Sequence, residues 1–356
     1  MGAGPTVVAT ALGTWPQPPC AASVLPWPAA PFSGVPASSL ATPGGARLST
    51  VSTTGALAIA QVMAHCGGSP AAATSFIARA VAADPCDPEP YSALENLRRE
   101  LPAEVAAVVA APNTVGPMLA RAYLSFVDGD MDEAAMSLGA VTGYQPDVPW
   151  AYAPWFGDEQ FLGAVTPAAF AEATMRINDY DRDLDTDAVR ECLIPWFRAI
   201  EAVCDRDADP DAMARMAILL RVCGRTDASF ALCDRADAVR RVTFTEVVRA
   251  GTWRHVGNRA QTAAAFRRAL ALDPANWSLY LDLADLAAEE GDFAEAATLA
   301  TRGEELEPGD VTMRAAAAAY RARSRGSVAD MDTLTDLAPQ VPEPYRQTLI
   351  DYARGI

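Results

Sequence analysis

Three prolines, Pro274, Pro308 and Pro342, stand 34 residues apart. Gly257 and Gly291 keep the same 34-residue spacing, and Gly326 falls one residue off it. Each proline follows a helix-like segment: Ala-Leu-Asp-Pro at 271–274 and Glu-Leu-Glu-Pro at 305–308. A fixed period of that length is the mark of a stacked repeat, and it restricts the chain more than any other feature. From about residue 51 onward, helical patterns of about 12–16 residues alternate with breaks at Gly, Pro or Asp. No run alternates with the period of two that a strand needs. Two antiparallel helices joined at a tight turn expose an apolar face that neither buries alone. Stacking about three or more such pairs makes one continuous core. The expected fold class is therefore all-α, a solenoid of helical hairpins.

The stretch Asn276 to Asp310 resembles the tetratricopeptide repeat (TPR) family. Tyr280 sits where the family usually has Trp, Leu283 takes its Leu, and Ala284 replaces the small Gly. Gly291-Asp292 is the inter-helix turn, Phe293 follows, Ala296 is the small contact on the second helix, and Pro308 is the terminal Pro. Ala287, Ala300 and Gly303 depart from the family's pattern. The preceding repeat, about 243–276, keeps Trp253, Phe266, Ala269 and Pro274 but departs at Glu246 and Arg249. The resemblance implies a right-handed superhelix whose concave face is lined by the first helix of each repeat.

Gly129-Asp130-Met131-Asp132-Glu133-Ala134-Ala135 parallels Gly291 to Ala297, and the interval from Gly129 to Pro146 equals that from Gly291 to Pro308. Pro112 lies one period before Pro146. Four segments follow. Residues 1–50 read as a disordered tail, rich in Pro, Ala, Gly, Ser and Thr, with Arg47 its only charge. Residues 51–148 read as N-terminal hairpins, 149–209 as an irregular aromatic and acidic junction, and 210–356 as the C-terminal array. A capping helix is expected at 343–354.

The chain contains no lysine, so every basic side chain is arginine. That argues against a P-loop, a protein kinase and a pyridoxal phosphate enzyme, each of which needs a lysine. The formal net charge of −17 argues against nucleic acid and against anionic membranes. A charged partner is expected to be basic. The seven cysteines, Cys20, Cys66, Cys86, Cys192, Cys204, Cys223 and Cys233, are scattered with no C-x-x-C pair, as in a reducing cytoplasm. No apolar run reaches the roughly 20 residues that span a bilayer.

The junction carries Trp150, Tyr152, Trp155 and Phe156, then carboxylates at every second position through Asp179, Asp181, Asp183, Asp185 and Asp187. No frame places Gly and Glu where a calcium loop requires them. The run reads as a solvated loop whose Asp185, Thr186 or Asp187 caps a helix at 187–204; a contact for a basic or metal-bearing ligand is the alternative. The Trp and Tyr cluster reads as core packing or as a binding hot spot.

No catalytic motif is found. The two histidines, His65 and His255, lie in different repeats. No cofactor or metal is expected. TPR proteins that grip the acidic tails of heat-shock chaperones use a lysine and asparagine clamp. Here the inner-face positions read Leu281, Asp282, Asp285 and Glu289. The resemblance therefore implies an adaptor for a neutral or basic peptide, with Asp282, Asp285 and Glu289 supplying acid. Tyr123 and Phe126 are candidate apolar anchors, and Trp150 and Trp155 mark the junction. The alternative is an enzyme or small-ligand protein with its site at 149–209.

Overall fold

A computed structural model describes residues 70–110, 114–180 and 182–355. The expected N-terminal tail, His65-Cys66 and Pro112 lie outside the described residues. Among those described, every regular element is helical. They fall into two compact units, one ending at Leu232 and the other beginning at Cys233.

The second unit shows the repeat most clearly. Its hairpins are α12 (Thr243–His255) with α13 (Arg259–Leu272), α14 (Trp277–Glu289) with α15 (Phe293–Leu306), and α16 (Val311–Arg325) with α17 (Val328–Leu337); α18 (Tyr345–Arg354) ends the unit. The first helices and α18 start at Thr243, Trp277, Val311 and Tyr345, one 34-residue period apart each time. The capping helix is thus the first half of a further repeat, kept in register.

Each turn has a local cause. Gly257 (φ 76°) and Gly291 (φ 83°) adopt the left-handed conformation that closes a helix. The Gly291 amide donates to the Ala288 carbonyl (3.0 Å) and the Asp292 amide to that of Ala287 (2.9 Å), a Schellman closure. The Asp292 carboxylate then accepts from the Glu295 amide at 3.0 Å and caps α15. Asn258 does the same for the Gln261 amide at 3.1 Å. At Gly326 a single bond to the Ala322 carbonyl (2.9 Å) replaces the pair, because α16 is two residues longer than α14. That extension accounts for the off-register glycine. At Asp273 and Glu307 the backbone has already left the helical region ahead of the proline, which disfavours helix in the residue before it.

Packing follows the small residues. Ala284, Ala296 and Ala300 are fully buried where α14 and α15 meet. Gly303 lets the end of Met313 lie against α15: a Cβ there would be 2.3 Å from Met313 Cε and would require that side chain to shift. Ala315 to Ala319 and Tyr320 of α16 are buried between α15 on one side and α17 and α18 on the other.

In the first unit, α1 (Pro70–Ala83) packs on α2 (Pro88–Glu100), α3 (Pro102–Ala110) and α4 (Val115–Val127). The hairpin of α4 with α5 (Met131–Tyr144) turns at Gly129 (φ 81°) with the same Schellman bonds, and Asp130 caps α5 through the Glu133 amide at 3.2 Å. The irregular stretch follows: a 3₁₀ turn (Trp150–Tyr152), α6 (Glu159–Ala164), α7 (Pro167–Ile177), α8 (Asp187–Cys192) and α9 (Ile194–Arg206). α7 packs on α5 and on α10 (Pro210–Val222), restoring the stack across the interruption. Gly224 (φ 71°) turns α10 into α11 (Thr226–Val239).

The helix expected at 187–204 is two helices. Pro195 has no N–H to give the Glu191 carbonyl, so the chain breaks at Leu193 and restarts as α9. Thr186 supplies the expected cap, accepting from the Val189 amide at 3.3 Å. Asp185 and Asp187 pair with Arg190 instead. Asp209 caps α10 through the Asp211 and Ala212 amides.

Candidate functional site

In the first unit the aromatic residues pack with one another. Trp150, Trp155 and Tyr123 are 4%, 5% and 7% exposed, so they are interior residues and not a row of open anchors. Tyr123 lies edge-on to Tyr91 (4.7 Å between ring centres) and donates its hydroxyl to Glu95. Phe126, half-buried, bridges Tyr123 and Trp155 at 6.2 and 5.5 Å. Trp150 Nε1 donates to the Gln145 carbonyl at 2.9 Å, tying the 3₁₀ turn to the end of α5. Trp155 meets Phe161 at 5.4 Å, and Phe156 meets Trp196 at 4.6 Å, with Phe170 behind them. The interrupted stretch thus builds its own ring-lined core. A small apolar cleft in the same unit is lined by Val115, Met118, Val141, Tyr144 and Tyr180.

The second unit gathers polar groups instead. Asp282 and Asp285 lie one turn apart on α14, hence on one face. They are 5% and 4% exposed. Asp285 Oδ1 accepts hydroxyl bonds from Tyr320 of α16 and from Tyr345 of α18, the latter at 2.7 Å. Oδ2 of Asp285 and Oδ2 of Asp282 have no partner. Arg254 of α12 pairs with Glu289 at 2.5 Å and leaves its buried Nη1 unmatched. Four helices of one side, α12, α14, α16 and α18, thus meet through Arg254, the two aspartates and the two tyrosines. The three acidic residues singled out from the sequence are brought together here, although two are buried where an open acidic face was expected.

Burial dominates the electrostatics, because an ion withdrawn from water is costly. It pushes the Asp282 carboxyl up to about 8, with the neighbouring Asp285 adding to the effect. It pushes Asp285 up to about 6, against the opposing pull of the two tyrosine hydroxyls and Arg254. Burial also raises Tyr320 and Tyr345 well above the usual phenol range.

Sequence reasoning did not find Tyr320, Tyr345 or Arg254. Tyr345 lies sixty positions beyond Asp285 and meets it only when the stack is complete. Its position one period after Val311 was the available signal, since it marks α18 as a repeat helix with an inner face.

Among the described residues, no group of three or more His, Cys, Asp or Glu is placed to hold a metal. None of their helices is long and apolar enough to cross a membrane.

No protein-family model matches the sequence, and no curated protein matches it. Among solved structures, the chain is similar to a tetratricopeptide repeat protein from Parabacteroides merdae, with TM-score 0.38 and 11% identity, over 85% of this chain and 98% of that one. It is also similar to a thermophilic TPR protein in Thermus thermophilus, with TM-score 0.28 and 16% identity, over 76% and 98% of the two chains. A third, from the APC/C hetero-tetramer Cut9-Hcn1, has TM-score 0.32 and 11% identity, over 74% of this chain and 52% of that one. The chain's own turns, caps and 34-residue register make it an all-α solenoid of helical hairpins.

Proposed function

We propose that the chain is an interaction scaffold that holds a neutral or basic protein segment on the side formed by the first helices of its C-terminal hairpins. One observation carries the reading: α14 places Asp282, Asp285 and Glu289 against a single guanidinium, Arg254, leaving acid in excess where four helices meet. Stacked hairpins present an extended side of this kind, and binding there needs no moving part. An acidic lining selects against phosphate-bearing and carboxylate-rich partners and favours basic ones. In the first unit, Phe126 is the apolar contact we propose, since it keeps partial exposure while Tyr123 and Trp155 hold it in place.

The test is affinity capture from the native host with the full chain as bait, washed at low and high salt and read by mass spectrometry. The expected result is a protein partner whose retention falls as salt rises, because screened charges attract less. A clean capture without any protein partner would sink the proposal.

A further inference from the structure

We infer that the Asp282–Asp285 pair is a receptor for one cationic group, an arginine or lysine side chain of the bound segment, taken up in exchange for a proton. The inference rests on the scaffold reading above and names the chemistry that its acidic side recognises. Its first support is a surplus of carboxyl groups over the basic groups beside them. Asp282, Asp285 and Glu289 rise on successive turns of α14; Arg254 binds Glu289 through Nη2, Arg259 reaches only the Glu289 carbonyl, and neither guanidinium bonds an aspartate.

The second support is independent of that count. The Asp282 carboxyl is 5% exposed, and its Oδ2 faces no donor. Asp285 takes both tyrosine hydroxyls on Oδ1 and leaves Oδ2 bare. In folded proteins most buried polar atoms are matched, because an unmatched one loses its water and gains nothing. Two bare carboxylate oxygens on one helix face have the form of half a site. The missing half is a donor with several N–H groups, which a guanidinium or ammonium supplies.

The third support is access. Arg254 and Glu289 keep 20% and 29% of their side-chain surface in solvent, and Tyr345 and Tyr352 are half-buried. The side chains that cover the pair therefore reach solvent themselves. A long aliphatic stem ending in a charged head can lay its methylenes on apolar cover and bring its charge to a carboxyl beneath it.

The groups around the pair fix the proton exchange. Arg254 approaches from α12, and Arg259 of α13 reaches the Glu289 carbonyl at 3.5 Å. Glu289 shares α14, Tyr320 comes from α16, and Tyr345 and Tyr352 from α18. Burial raises both aspartates, Asp282 the more, so near neutral pH Asp282 holds the proton that an arriving cation displaces.

The test is isothermal titration calorimetry of the full chain near neutral pH in two buffers of different ionisation enthalpy. The probes are a capped alanine pentapeptide with a central arginine, its citrulline counterpart, and spermidine. The expected result is binding of the arginine peptide about tenfold or more tighter than either other probe, with release of about one proton. Asp282→Asn, which keeps the shape and removes the charge, is expected to abolish both the preference and the proton release while circular dichroism shows an intact helical fold. If that variant unfolds, Asp285→Asn takes its place. Equal affinity for arginine and citrulline, absence of proton release, or no binding of the arginine peptide each overturns the inference. Tighter binding of spermidine overturns the side chain as the source of the cation. A protein captured equally by the wild-type chain and Asp282→Asn would remove the receptor and leave the scaffold standing.

Discussion

At the scale of single residues, Asp285 and Asp282 show how one carboxyl differs from the next by its surroundings. Asp285 is steadied by two phenolic donors, whereas Asp282 has only neighbours that oppose its charge or lie too far to bond it. The unfolded chain ionises both near pH 4, while the folded chain holds the Asp282 proton up to about 8. Unfolding between those limits releases protons, so stability falls as pH rises through that window. The penalty is absent below about pH 4 and complete above about 8. Asp282→Asn removes the larger share of it. The variant should melt with a flatter pH dependence between pH 5 and 8.5 and gain on the order of 2 kcal/mol at the alkaline end. Thermal melts by circular dichroism across that range check this, and an unchanged slope would show that Asp282 ionises like an exposed carboxyl. The acid at these positions was legible in the sequence. Its burial was not, because the cover over Asp285 comes from Tyr320 and Tyr345, far along the chain.

At the scale of elements, two glycines on equivalent helical architecture fail for opposite reasons when given a methyl group. Gly291 sits at φ 83° with open space where a Cβ would go, so Gly291→Ala meets backbone strain alone, about 1 kcal/mol. Gly139 lies inside α5 in ordinary helical backbone, where alanine by itself favours the helix. Its Cβ would lie 2.4 Å from the Ala173 carbonyl oxygen of α7, and Gly143 repeats the contact against Arg176 one turn later. Gly139→Ala should therefore cost about 1–3 kcal/mol through overpacking despite the better propensity. Urea unfolding of the two variants separates the cases. The turn glycines, their Asp and Asn caps and the terminal prolines were legible because each acts within a few residues. The α5–α7 approach and the interlocked Phe156, Phe161, Phe170 and Trp196 rings were not, since partners come from segments that interrupt the period. The break between α8 and α9 could have been read from Pro195, whose missing N–H forbids a helix running through it.

At the scale of the whole molecule, stability in a stacked chain is a sum over neighbours, so the last helix bears on more than itself. α18 begins one period after α16 and covers it with Leu349, which is fully buried, and with Tyr352, whose ring lies 6.2 Å from that of Tyr320. Leu349→Ala should lower stability by about 2–4 kcal/mol, the usual cost of emptying such a site. Removal of residues 345–356 goes further, because it uncovers the alanine-rich face of α16 and takes the Tyr345 hydroxyl from Asp285. Water then reaches the aspartate pair, and both carboxyls return toward the ordinary range. The truncated chain should melt well below the full chain and, at the same time, lose most of the decline in stability between pH 5 and 8.5. Asp282→Asn flattens the same decline while raising the alkaline melting temperature. The two opposite signs, read in one series of melts, separate a proton held by burial under the cap from a proton held by the local sequence of α14. A truncated chain that kept the full decline would place the cause within α14 itself, and α18 would then be a cover for apolar surface only.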